Sequence, residues 1–211
     1  MFSTHSSVMA CIKKMNCYRN KLWKRTLLVV LLWPIASLGF AATKAGIAFE
    51  EIIQDHTQEN ASQKLVLNGM GVRTKLLFKV YVAALYLPEK EKSTDAEKIL
   101  ASDSPKLLKL HFLRGVDAAK IQEAWTDGFA KNCVFDCATS TALVKELGTL
   151  MRDMKESDQL EFAFSTNRVQ VRINGAEIGA VEGNQFGRNI LAIFIGRSPP
   201  NTDLKEGLLG K

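Results

Sequence analysis

The 211-residue chain carries 28 Lys and Arg against 22 Asp and Glu, a formal charge of +6, and 46% of it is hydrophobic. That composition excludes a disordered or fibrous chain, and the length suffices for one domain with a sizeable core. The charge excess would suggest a nucleic-acid or anionic-surface function, but its placement along the chain argues otherwise.

Lys13, Lys14, Arg19, Lys21, Lys24 and Arg25 form a basic run containing no acid. The apolar stretch Leu27-Leu-Val-Val-Leu-Leu-Trp33 follows, and then Gly39-Phe-Ala41 offers small residues at the two positions a signal peptidase reads. This order predicts a secretory signal over residues 1–41, cleaved after Ala41, and an exported, periplasmic domain over 42–211. Pro34 and Ser37 interrupt an apolar run already short for a spanning helix, so no stable membrane span is expected after cleavage. The six cations leave with the leader, and the remaining 22 basic residues balance the 22 acids. No nucleic-acid partner is therefore expected. Cys11 and Cys17 also leave. Cys133 and Cys137 remain, and an oxidising compartment favours a structural disulfide between them.

Residues 45–62 begin as a short strand and drift into a polar stretch. Lys64-Leu-Val-Leu-Asn68 reads as a strand stopped by a turn at Gly69-Met-Gly71. The stretch from Lys75 to Tyr86 alternates, with Leu76, Phe78, Val80, Val82, Ala84 and Tyr86 on one face; its far half is apolar on both faces. This predicts a central strand covered on both sides and ended by Pro88. A charged turn at Glu89–Lys92 leads to a short helix over 93–101 and a strand over 106–113. Asp117 is expected to cap a helix bearing Ile121, Trp125 and Phe129, and the cysteine loop interrupts it. A second helix from about Thr139 carries Leu143, Leu147 and Leu150 on one stripe. Strands at 160–164 and 169–173 follow, and Asn174-Gly175 predicts a tight hairpin into a third strand at 177–181. A last helix from about Gln185 ends at Gly196 and Pro199-Pro200. The layout, roughly six mostly antiparallel strands with helices on one face, is α+β.

The usual catalytic constellations do not occur: there is no Gly-x-Ser-x-Gly, no P-loop and no dinucleotide fingerprint. No cofactor is expected, and His56 and His111 are too isolated to form a metal site with two thiols. No acid pair at the helical spacing that would suit general acid/base work is expected. Arg73 and Tyr81 remain. Either they are a turn residue and a space-filling strand residue, or a guanidinium and a phenol hold a carboxylate or enolate at the mouth of an apolar cleft.

Asn68-Gly-Met-Gly-Val-Arg73, Phe78-Lys-Val-Tyr-Val-Ala-Ala-Leu-Tyr-Leu87 and Gly179-Ala-Val-Glu-Gly183 with the helix after it resemble the bacterial exported chalcone isomerase-like proteins. The resemblance implies a curved antiparallel sheet, a layer of helices on one face and a ligand cleft between them. It places Arg73 where the plant isomerases carry their arginine, and Tyr81 where they carry a threonine. Their helical tyrosine, lysine and asparagine fall on Ala118, Ile121 and Trp125, which lack those functional groups, so the resemblance does not extend to chalcone cyclisation. Fatty-acid-binding relatives grip a carboxylate with an arginine and a tyrosine of this region. Arg73 and Tyr81 can do so here if the chain turns near Thr74. The leading expectation is a binding domain for a small apolar or acidic amphiphile such as a fatty acid. The alternatives are a cofactor-free isomerase or intramolecular lyase on an enone, and a structural or partner-binding domain.

Overall fold

The computed structural model describes residues 41–58 and 61–211. The expected leader, with Cys11 and Cys17, lies outside them except for its last residue, Ala41. The main sheet has seven strands, β3 (Ile52–Gln58), β4 (Ala61–Lys75), β5 (Phe78–Leu87), β6 (Lys106–Phe112), β7 (Gln159–Phe164), β8 (Arg168–Ile173) and β9 (Ala176–Glu182). They pair in sequence order, every neighbour antiparallel. Two short strands, β1 (Ala41–Lys44) and β2 (Ile47–Glu50), form a separate hairpin. Among the described residues, five α-helices complete the fold: α1 (Ala96–Ala101), α2 (Ala118–Asn132), α3 (Cys137–Thr149), α4 (Phe186–Ile195) and α5 (Thr202–Leu208).

The alternation of β5 sorts its side chains into two cores, as a strand covered on both sides requires. Ala83, Leu85 and Leu87 pack with the buried faces of the helices, while Val82, Ala84 and Tyr86 pack with Phe49 of β2 and with Ile53 and Leu65. All the buried apolar helix residues belong to the first core, so the helices form a single layer. Apart from the half-buried Arg188 and the buried amide of Asn189, α4 is apolar on every side and buried along its length, which is the condition for a central helix. α2 presents Ile121, Trp125 and Phe129 to the core at helical spacing. Trp125 lies edge-on to Phe162 of β7, with ring centroids 5.3 Å apart. Asn174 and Gly175 both adopt positive φ, 52° and 79°, in the expected β8–β9 turn.

Three expectations need correction. Gly69-Met-Gly71 is not a turn: β4 runs through it, because α5 lies so close to this strand that only glycine fits. A Cβ on Gly71 would stand 2.2 Å from the Leu204 carbonyl oxygen, and one on Gly69 2.2 Å from that of Gly207. The strand expected from Lys75 begins instead at Phe78, with Leu76 and Leu77 forming the two-residue turn between β4 and β5. The chain also continues past Pro199-Pro200 into α5. That helix is short and has only a few apolar residues, so its period was hard to see.

Asp158, in the loop before β7, ties three segments together. Its carboxylate accepts from Asn174 Nδ2 at 2.8 Å, from the Lys155 amide at 2.9 Å and from Arg152 Nη1 at 2.9 Å. These donors hold its pKa down at about 2, against an ordinary 3.8. Because the folded value lies below the unfolded one, the stabilisation is complete above about pH 4 and is lost as the pH falls toward 2. Asp158→Asn should therefore be less stable than the parent at pH 7 and indistinguishable from it near pH 2 by urea unfolding. A difference that persisted at pH 2 would refute this linkage.

Candidate ligand cavity

Between the sheet and the helix layer lies a cavity of about 690 Å³, within the usual range of about 300–1,000 Å³ for small-molecule sites. Its walls are apolar: Leu110 and Phe112 of β6, Ile121 and Trp125 of α2, and Ile193 and Phe194 of α4. Its rim is mostly cationic, with Arg73, Lys75, Arg114, Lys120 and Lys131 against Glu123 and Asp127. Glu123 and Asp127 stand four apart on α2, an acid pair at helical spacing, which corrects the expectation that none occurs. Both are exposed and so remain solvated. A second cavity, beside Lys106, measures about 20 Å³ and is too small for an organic ligand.

The structure brings Arg73 and Tyr81 together. They are directly paired across β4 and β5, which sets their Cβ atoms about 5 Å apart. The turn that allows this comes at Leu76-Leu77, two residues later than Thr74. A bulge also contributes. Arg73 pairs with Tyr81 and Thr74 with Lys79, leaving Val80 as the extra residue on β5. Without it, Phe78 and Tyr81 would point to opposite faces; with it, both line the cavity.

The guanidinium of Arg73 is held from one side only. Nη1 donates to the Pro200 carbonyl at 2.8 Å and to that of Thr74 at 2.6 Å, with Asn201 Oδ1 at 3.5 Å. Asn201 is fixed in turn, donating to the Val72 carbonyl at 3.0 Å and accepting from the Thr74 amide at 3.2 Å. Among the described residues no carboxylate pairs with Arg73, and Nε and Nη2 donate to none of them. That leaves one edge of the planar fork open, the geometry that grips a carboxylate through two parallel bonds.

Tyr81 packs its ring against Phe112, centroids 5.6 Å apart, and its hydroxyl has no hydrogen-bond partner among the described residues. Burial pushes the phenol well above its ordinary range, opposed by the Arg73 guanidinium. It therefore stays protonated and acts as a hydrogen-bond donor throughout the physiological range. The pair thus offers one fixed cation and one neutral donor at the edge of an apolar space. Ile121 adds no polar group to the cavity, Trp125 adds only its indole N–H, and Ala118 does not line it.

The remaining candidates lie apart from the cavity. Cys133 and Cys137 form the expected disulfide, and neither lines the cavity. His111 sits on β6 between Val82 and Gln159, half-buried. No cluster of three or more metal-ligating side chains occurs among the described residues. No helix among them is long and apolar enough to cross a membrane.

No curated protein sequence matches the chain significantly. Among solved structures it is similar to a fatty-acid binding protein of Arabidopsis thaliana, with a TM-score of 0.61 and 18% identity, over 81% of this chain and 96% of that one. At that identity the likeness concerns the fold. The sequence model of the family described as chalcone isomerase-like matches residues 41–210. The curved antiparallel sheet with its helix layer agrees with that match, and the chain belongs to the chalcone isomerase-like family.

Proposed function

We propose that this chain is an exported binding domain that holds an acidic amphiphile such as a fatty acid. The apolar tail lies in the 690 Å³ cavity, and the carboxylate meets Arg73 and Tyr81. The observation that carries this reading is the open edge of the Arg73 fork beside the unpartnered Tyr81 hydroxyl, at the rim of an otherwise apolar space. The fatty-acid binding protein of similar fold supports it. Export rests on the basic and apolar leader, whose removal leaves a chain of balanced charge.

The test is native mass spectrometry, with lipid extraction, of protein recovered from its own host, followed by titration with palmitate. A co-purifying carboxylic acid is expected. Arg73→Ala should weaken palmitate binding about 10- to 100-fold, the worth of a charge-assisted bond. Because Arg73 also holds Pro200, Tyr81→Phe is the cleaner companion. It removes only the hydroxyl, keeps the contact with Phe112, and should weaken binding several-fold at an unchanged thermal midpoint. Full palmitate affinity in both variants would exclude the pair as the carboxylate site. Turnover of an enone, lost in the same variants, would replace the binding reading with an isomerase.

A further inference from the structure

The β4–β5 turn is built from residues that neither solubility nor turn chemistry calls for. Leu76, Leu77 and Phe78 are 87%, 94% and 59% exposed, half of the large exposed hydrophobic residues among those described. Leu76 adopts φ +55°, at a hairpin position where glycine or asparagine is normally found because a Cβ is strained there. No described residue buries the two leucines. A local rule broken without any gain to the fold is expected where a surface has a task.

The tip also carries its own charge pattern. Lys75 and Lys79 flank it in sequence, and the Arg114 guanidinium stands 4.7 Å from the centroid of the Phe78 ring. None of the three has a carboxylate partner among the described residues. Of the nearby acids, Glu123 and Asp127 lie elsewhere on the rim, on α2, and Asp117, which does not line the cavity, is in an ion pair with Lys120. Apolar side chains at a protruding point, encircled by unpaired cations, suit a surface that is apolar within and anionic at its boundary. Lys75, Leu76, Phe78 and Arg114 also line the ligand cavity, so whatever receives the tip faces the cavity mouth.

We propose that the Leu76-Leu77-Phe78 tip inserts into an anionic phospholipid bilayer, with Lys75, Lys79 and Arg114 at the headgroups, and turns the cavity mouth toward the membrane. The docking stands independently of the ligand; only passage of a ligand between bilayer and cavity rests on the function proposed above. The test reads insertion at the tip itself, so that any membrane affinity of residues 1–41 does not decide it. An environment-sensitive fluorophore is attached to the full chain through Leu77→Cys in a Cys11→Ser/Cys17→Ser background, with Glu156→Cys as a control at an exposed site. Phosphatidylglycerol vesicles, with no ligand added, should shift the emission at position 77 to the blue and leave position 156 unchanged. Phosphatidylcholine vesicles should require about a hundredfold more lipid for the same shift, the worth of three cations at an anionic surface. Lys75→Glu/Lys79→Glu should raise the phosphatidylglycerol requirement at least tenfold. No shift at position 77, or an equal shift on both lipids, would overturn the proposal. So would a shift that appears without vesicles as protein concentration rises, which would assign the tip to a second copy of the chain.

Discussion

Gly71→Ala is expected to lower stability by about 3 kcal/mol, at the upper end of the usual cost of overpacking, and the thermal midpoint by roughly 10 °C. The added methyl would stand 2.2 Å from the Leu204 carbonyl oxygen and 2.8 Å from its Cα. Both are backbone atoms, so no side chain can swing aside; α5 has to move off β4. That helix contributes Leu204, Leu208 and, just beyond its end, Leu209 to the core, all of them buried. Its other attachments would be strained too. Asn68 Nδ2 donates to the Leu208 carbonyl at 2.9 Å, and Asn201 holds Val72 and Thr74 beside Arg73. The substitution should therefore also weaken ligand binding through displacement of Pro200. Thermal unfolding followed by circular dichroism, with amide exchange over residues 202–209, is the check. Gly115→Ala serves as control, since its Cβ would meet only the Met154 carbonyl oxygen at 3.6 Å. A Gly71→Ala midpoint within about 2 °C of the parent would show that α5 does not need this close approach.

Asn189→Leu should cost a comparable amount, about 3 kcal/mol, for a different reason. Asn189 is completely buried in α4 and is the polar anchor of the disulfide loop. Its Oδ1 accepts from the Val134 and Phe135 amides, both at 3.0 Å. Its Nδ2 donates to the Phe135 carbonyl at 2.6 Å and to Ser140 Oγ at 2.9 Å. Leucine keeps the volume and removes all four bonds, leaving three backbone groups and a buried hydroxyl to find new partners. Asn189→Asp preserves the two acceptor contacts but can no longer donate to Phe135, so it should fall between parent and leucine at neutral pH. Because the disulfide and Asn189 order the same five residues, 133–137, reduction should cost the leucine variant less than it costs the parent. Denaturant unfolding of the three proteins, with and without reductant, measures this coupling. Strict additivity would mean that the two restraints act on separate parts of the structure.

The sequence and the structure agree where a signal is local. β7 and β8 alternate cleanly and pair as expected. Asn174-Gly175 makes its hairpin, because both residues tolerate positive φ. The apolar faces of α2 and α4 are the walls of the cavity. The disagreements also share a cause. Alternation through Leu76 and Phe78 reads as strand because periodicity counts hydrophobicity and cannot tell a buried leucine from one held out at a turn. Gly69-Met-Gly71 reads as a turn because glycine allows one, yet here it serves close packing.

The amino-acid order alone determined the α+β class, the pairing of Cys133 with Cys137, the central place of β5 and the absence of a familiar catalytic motif. Each depends on residues a few positions apart, where side-chain period, loop length and turn preference act directly. Tertiary structure decided everything that makes Arg73 and Tyr81 a candidate site. Their meeting needs a turn at two leucines and a bulge at Val80, and the hold on the guanidinium comes from Asn201 and Pro200, with Asn201 lying 129 residues from the Val72 carbonyl it binds. Contacts over that span are set by which surfaces the packed core brings together, and no pattern in the local sequence records them.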